Sequence, residues 1–174
     1  MRSIRLLFLR AAADDHWLNR LVSHLDPPFC HVELEFDTSS GPPLATSLFA
    51  DESVFLRPRT FANPNYHILT LNVSDTAYAR MLRLASDTAA RGVRFDSHGM
   101  WCSILPCSLC APRRADRTFC SAYVTTLLQE GGVRGVERLA PERARPSTLY
   151  RLLCHSQQQC FSSVPYKLNL VTQC

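Results

Sequence analysis

Long apolar runs are missing from this sequence. No segment approaches the roughly 20 apolar residues that a bilayer-crossing helix needs, so no transmembrane segment is expected. The opening, Met1 to Arg10, places arginines around an apolar stretch whose uninterrupted part is only Leu6 to Leu9. That is short of the roughly 7 to 15 residues of a secretory h-region, and the segment reads as a first buried strand. A strong charge of one sign is missing too. Lys+Arg 19 against Asp+Glu 15 leaves a dispersed net charge of +4, which does not mark a nucleic-acid binder. The densest basic stretch, Pro112 to Arg117, is broken by Asp116 and reads as a solvated loop. There is no internal repeat, which excludes a solenoid.

A chain of 174 residues with 46% hydrophobic and 20% charged content is long enough for one well-cored domain and short for two. Its eight cysteines lie in a chain without a recognisable export signal, too long to be a disulfide-stapled mini-domain. Reduced thiols and a reducing, cytoplasmic setting are therefore expected. Cys102, Cys107 and Cys110 form a C-x4-C-x2-C cluster that could supply three zinc ligands, with Cys120, His98, Cys154, His155 or Cys160 as a fourth. A structural zinc site usually presents two short-spaced pairs. Only one CxxC is present, so ordinary thiols are the expectation, with no metal and no cofactor.

Periodicity along the chain alternates between two and 3.6. A strand is expected at about 4 to 9, then a helix capped by Asp14 with Trp17, Leu18, Leu21, Val22 and Leu25 at helical spacing, ended by Asp26-Pro27-Pro28. The run 30 to 36 alternates, with Val32, Leu34 and Phe36 on one face and His31, Glu33 and Glu35 on the other. A turn from Asp37 to Pro43 leads to a second strand at about 44 to 50, forming a hairpin-like pair. Further strands are expected at 53 to 59 and 66 to 73. Ser74 caps a helix reaching about Arg91, with Gly92 as its stop. Residues 95 to 116 read as irregular; a helix from about 118 ends at Gly131-Gly132, and a short helix opens at Ser147. The fold class is α+β, with residues 1–153 as the domain and 154–174 as a C-terminal tail.

Chemistry concentrates on two residues. His31 stands on the polar face of an amphipathic strand, and Cys120 stands in the first turn of a helix. A helix N-terminus favours a thiolate through its dipole and free N–H groups, and an imidazole held on a neighbouring strand can take the proton. Cys30 points away from His31 and reads as core. A lone histidine or a lone helical cysteine is more often structural; it is their joint placement that points to a nucleophile and its base.

Several runs together resemble one family. Leu6-Leu7-Phe8-Leu9-Arg10, Trp17-Leu18-Asn19-Arg20-Leu21 and Cys30-His31-Val32-Glu33-Leu34 resemble the opening of the circularly permuted members of the NlpC/P60 papain-like superfamily, including YiiX-like hydrolases and related proteins of large DNA viruses. The run Val54 to Phe61, Gly99-Met100-Trp101, Phe119-Cys120-Ser121 and Pro146-Ser147-Thr148-Leu149-Tyr150 are similar to the same group. The order, imidazole first and thiol second, reverses that of papain. The resemblance covers about 5 to 153. It implies a permuted papain-like fold, an antiparallel sheet or small barrel packed against helices, with Cys120 as nucleophile and His31 as base. Its third polar residue falls on the strand after the histidine strand, where Thr46 and Ser47 are the occupants and Ser47 is favoured; Glu33, on the face of His31, is the alternative.

The expected activity is that of a cysteine peptidase or amidase acting through a thioester, with Ser121 as the first oxyanion donor. Peptide, amide and lipid-ester substrates all present the required carbonyl. Two alternatives accompany this reading. A lipid acyltransferase or phospholipase of the lecithin:retinol acyltransferase type shares the fold, but that group carries an Asn-Cys-Glu-His run where this chain has Thr118-Phe119-Cys120-Ser121. The other is a non-catalytic interaction module with zinc at Cys102, Cys107 and Cys110.

Overall fold

Apolar alternation builds one sheet. The computed structural model describes residues 1–12, 17–59, 64–104 and 116–162, with side chains described as far as residue 157. Strands β1 (Arg2–Leu9), β2 (His31–Phe36), β3 (Leu44–Ser47), β4 (Phe55–Pro58) and β5 (Tyr66–Val73) form a five-stranded antiparallel sheet in the order β4-β3-β2-β1-β5. Register is fixed by the pairs Leu6↔Leu34 and Leu6↔Leu69 on the two sides of β1. A slip of one residue would turn both sets of apolar side chains out of the core.

Five helices are present among the described residues: α1 (Trp17–Leu25), α2 (Asp75–Ala90), α3 (Ser97–Ile104), α4 (Cys120–Glu130) and α5 (Pro146–Ser162). The main core lies between one sheet face, with Ile4, Leu6, Phe8, Val32, Leu34, Phe36, Leu71 and Val73, and the inner sides of α2, α4 and α5. Tyr78 and Met81 come from α2, Val124, Leu127 and Leu128 from α4, Leu149 and Leu153 from α5. A second cluster, of Leu9, Val22, Cys30, Met100, Phe119 and Ala122, joins α1, α3 and α4 around the end of β1. The fold is α+β, as expected.

Local chemistry explains the helix ends. Ser74 Oγ accepts from Ala77 N at 3.1 Å as the N-cap of α2, and Gly92 follows the helix with φ 63°, a left-handed conformation that suits glycine. The Asp14 cap expected for α1 lies outside the described residues.

Three expectations are corrected. The second strand of the hairpin stops at Ser47 rather than near residue 50. The segment from 95 onward, expected to be irregular, contains α3, framed by a parallel pair of two-residue strands, β6 (Arg94–Phe95) and β7 (Arg117–Thr118). Asp96 opens α3 by accepting from Gly99 N at 2.9 Å through its side chain, and the short helix buries only Met100, too little to leave a periodic trace. Of the tail expected from 154, residues 163–174 lie outside the described residues and 154 to 162 belong to α5, which continues to Ser162. Past Leu153 it is held by a polar contact, Gln157 Nε2 donating to Thr70 O at 3.1 Å, which gives no apolar period.

Leu34 is fully buried at the centre of the sheet. Leu34→Ala is expected to cost about 2–5 kcal/mol of stability, read as a lowered urea midpoint at unchanged m-value.

Candidate active site

His31 is the first residue of β2, and the segment before it is pinned from far along the chain. Ser147, at the start of α5, donates from Oγ to Asp26 O at 2.8 Å and accepts there from Phe29 N at 3.3 Å. Its backbone N–H donates to Asp26 Oδ2 at 3.3 Å, and Arg145 lies 3.5 Å from Asp26 Oδ1. The Pro146 to Tyr150 run therefore serves to fix the approach to the histidine. Cys30 N then donates to Leu9 O at 2.9 Å, and Leu9 pairs with His31.

The imidazole is 5% exposed. It stacks on half-buried Phe49, centroids 4.6 Å apart and planes 21° apart. Its Nε2 lies 3.7 Å from Glu33 Oε1, outside hydrogen-bond range, and has no hydrogen-bond partner. Burial lowers the His31 pKa from 6.5 to about 4; Glu33 opposes this and Arg59 adds to it. The ring is neutral at pH 7.

Cys120 is the first residue of α4. Phe119 at the N-cap provides no side-chain hydrogen bond, so the first-turn N–H groups are not capped from that position. The β6–β7 pair sets this helix start: Asp96 N donates to Thr118 O at 2.7 Å, two residues before the thiol. The ladder between β2 and β3 runs no further than the Leu34↔Thr46 pair, which leaves the Val32 peptide free of strand pairing on that side. Cys120 occupies that rim, with hydrogen bonds from the backbone of Val32 and Ser121. Burial pushes the thiol from 9.0 up to about 11, the backbone hydrogen bonds pull it back, and the charge of Glu33 raises it further. The strand's alternation puts His31 on the Glu33 side of β2, whereas Cys120 belongs to the apolar core on the side of Val32 and Leu34.

The polar side of β2 is itself buried, with Glu33 and Glu35 each 1% exposed. Arg59, just after β4, forms ion pairs with both carboxylates. Arg5 lies 3.1 Å from Glu35 Oε2. Burial raises the Glu35 pKa against the pull of Arg59 and Arg5. Burial also works against the Arg59 charge, but Glu33 and Glu35 outweigh it and the Arg59 pKa is raised. Tyr66, opening β5, donates its hydroxyl to Glu33 Oε1 and is hydrogen-bonded to Arg59 as well. Burial first, then Glu33, holds the phenol pKa above its ordinary value.

The structure thus sets His31 beside Glu33 on the polar side of β2 and seats Cys120 against the backbone of Val32, the residue between them in sequence. It places the two hydroxyls elsewhere. Ser47, favoured as the residue orienting His31, donates instead to Val32 O at 2.8 Å, so it braces the peptide that touches the thiol. Thr46 donates to Phe55 O at 2.7 Å and shares a 2.8 Å hydrogen bond with Tyr123 of α4. Arg59, Tyr66, Phe49 and Ser147 were given no site role from the sequence, although Arg59 and Ser147 lie in runs that carry the resemblance. The paired glutamates on the histidine face were the available signal, since two carboxylates inside a sheet demand a cation.

Cys30, Cys102, Cys120 and Cys154 are not in disulfides. Of the zinc alternative, Cys102 Sγ packs 3.8 Å from His98 Nδ1, one turn apart on α3; Cys107 and Cys110 lie outside the described residues. Among the described residues no group of three or more His, Cys, Asp or Glu is arranged to hold a metal, and no helix is long and apolar enough to cross a membrane. Comparison with known protein families, with curated proteins and with solved structures returns no match.

The depressed His31 pKa has a consequence for stability. Between pH 6.5 and about 4 the unfolded chain binds a proton at His31 that the folded protein refuses, so stability is present above pH 6.5 and is lost as the pH falls. His31→Gln removes this component. Denaturant titrations at pH 7 and pH 4.5 are expected to show a pH-dependent loss smaller by about 2–3 kcal/mol in the variant than in the parent.

Proposed function

We propose that this protein is a cysteine hydrolase, a peptidase or amidase, using Cys120 as nucleophile and His31 as base on a permuted papain-like (NlpC/P60) scaffold. The observation that carries the reading is a buried imidazole with an unpartnered Nε2, one residue along β2 from the backbone that hydrogen-bonds a cysteine at a helix N-terminus. The sequence resemblance, His strand before Cys helix, supports it.

Both groups rest neutral, so the thiolate forms during attack rather than before it. The proton transfer requires imidazole and thiol to meet beside the Val32 peptide, to which Cys120 is hydrogen-bonded. Cys120 gives its proton to His31 as the sulfur–carbon bond forms and the carbonyl electrons move to oxygen. The uncapped first turn of α4, with the Ser121 N–H foremost, stabilises that oxyanion. Collapse expels the amine or alcohol, which takes the proton from His31, and leaves a thioester. Water, deprotonated by His31, then releases the acid and restores the thiol. Glu33, at 3.7 Å, stabilises the imidazolium while it exists.

The test pairs turnover of a fluorogenic peptide and ester library with mass-spectrometric mapping of iodoacetamide adducts. Cys120→Ala is expected to abolish turnover, and His31→Ala to lower it by about 10²-fold or more. A Cys120→Ala protein that hydrolyses the same substrates at the parental rate refutes the proposal.

A further inference from the structure

We propose that Tyr66 is a positioning residue that sets the basicity of His31 by occupying Glu33 Oε1. This rests on the reading of His31 as the base. The same carboxylate oxygen that accepts the Tyr66 hydroxyl is the one lying 3.7 Å from the unpartnered His31 Nε2. Phenol and imidazole therefore compete for one acceptor, and the phenol holds it.

The sheet builds this competition in. Tyr66 on β5 pairs with Leu9 on β1, and Leu9 pairs with His31 on β2, so tyrosine and histidine lie two strands apart in one row of one face. Arg59 fixes the other side of the carboxylate by pairing with Oε2, and its guanidinium sits over the Tyr66 ring, 5.1 Å from the centroid. With Arg59 on one oxygen and Tyr66 on the other, Glu33 cannot turn to the imidazole. The ionisable groups that act on His31 or on its carboxylate neighbour are Glu33 on its own strand, Arg59 after β4 and Tyr66 on β5. Only Tyr66 can be deleted from this set as a donor without changing the charge of the cluster.

Loss of the hydroxyl leaves Oε1 short of a donor inside a buried site. His31 Nε2, a donor once the ring is imidazolium, is the group at hand. A hydrogen bond to the carboxylate favours imidazolium, so the base becomes stronger, and the acid limb of the pH–rate profile moves to higher pH because the ring stays protonated longer.

The experiment is an NMR titration of the His31 ring in the parent and in Tyr66→Phe, alongside the pH profile of turnover. The ring midpoint is expected to rise by at least one pH unit in the variant, a tenfold gain in proton affinity, with the acid limb following it. Adding Glu33→Gln to Tyr66→Phe is expected to abolish the rise, which a general loosening of structure would not do. Tyr66→Met, also without a donor, gives the same reading should the Phe variant not fold. An unchanged midpoint in a folded variant overturns the inference, even if turnover depends on Cys120 and His31. A shifted midpoint in a protein whose turnover is indifferent to Cys120 upholds the competition for Glu33 and refutes the hydrolase reading instead.

Discussion

Two carboxylates buried on one strand are the constraint around which this molecule is arranged. Glu33 and Glu35 stand on the face of β2 opposite a fully apolar row, and neither meets solvent. Removing an ion from water costs several kcal/mol even after relaxation, so such a pair is tolerated only with a cation and hydrogen bonds in place. Arg59 satisfies that demand for both at once. The residue after β4 must then reach across β3 to β2, and β5 must bring Tyr66 within reach of Glu33. A charged cluster of this kind adds little net stability, but it admits one register: any slip of β2 would bury a glutamate in the apolar core or strand Arg59.

The same burial gives the candidate site its character. His31 is held neutral by exclusion of water and by the nearby guanidinium, against the opposing pull of Glu33, and Cys120 is held neutral by exclusion of water, against backbone hydrogen bonds that favour its anion. A low-polarity surround weakens both groups as resting ions and strengthens every interaction that follows once charge appears. The early end of β3 creates the opening: because its ladder stops at Thr46, a side chain rather than a strand meets the Val32 peptide. Phe49, leaving the sheet just beyond, closes over the imidazole.

Much of this was legible in the residues. The alternation of 30 to 36 placed Val32, Leu34 and Phe36 against the helices and grouped His31 with the two glutamates, and the Ser74 cap and Gly92 stop bounded α2 correctly. What escaped was set by contacts between distant segments. Period-two patterning says which side of a strand is polar, but not that another part of the chain will cover it, so the arginine and tyrosine over Glu33 left no local sign. The Ser47 hydroxyl contact escaped for the same reason, since it goes to the Val32 carbonyl, an acceptor left open where the β2–β3 ladder stops. α3 has a cap and one buried methionine, too little for periodicity, and the last turns of α5 rest on a glutamine contact. The permuted papain assignment remains a resemblance of ordered runs, beside a sheet order that periodicity alone could not supply.

The Ser147 anchor bears on how the molecule is made. Its partners, Asp26 and Phe29, precede it by 121 and 118 positions, yet they define how the chain turns into His31. During vectorial synthesis β1 and β2 can pair once both have left the ribosome, while the bend before the imidazole stays unfastened until α5 emerges. A nascent chain halted before that helix already contains His31 and Cys120, but not the clasp that sets the histidine in place.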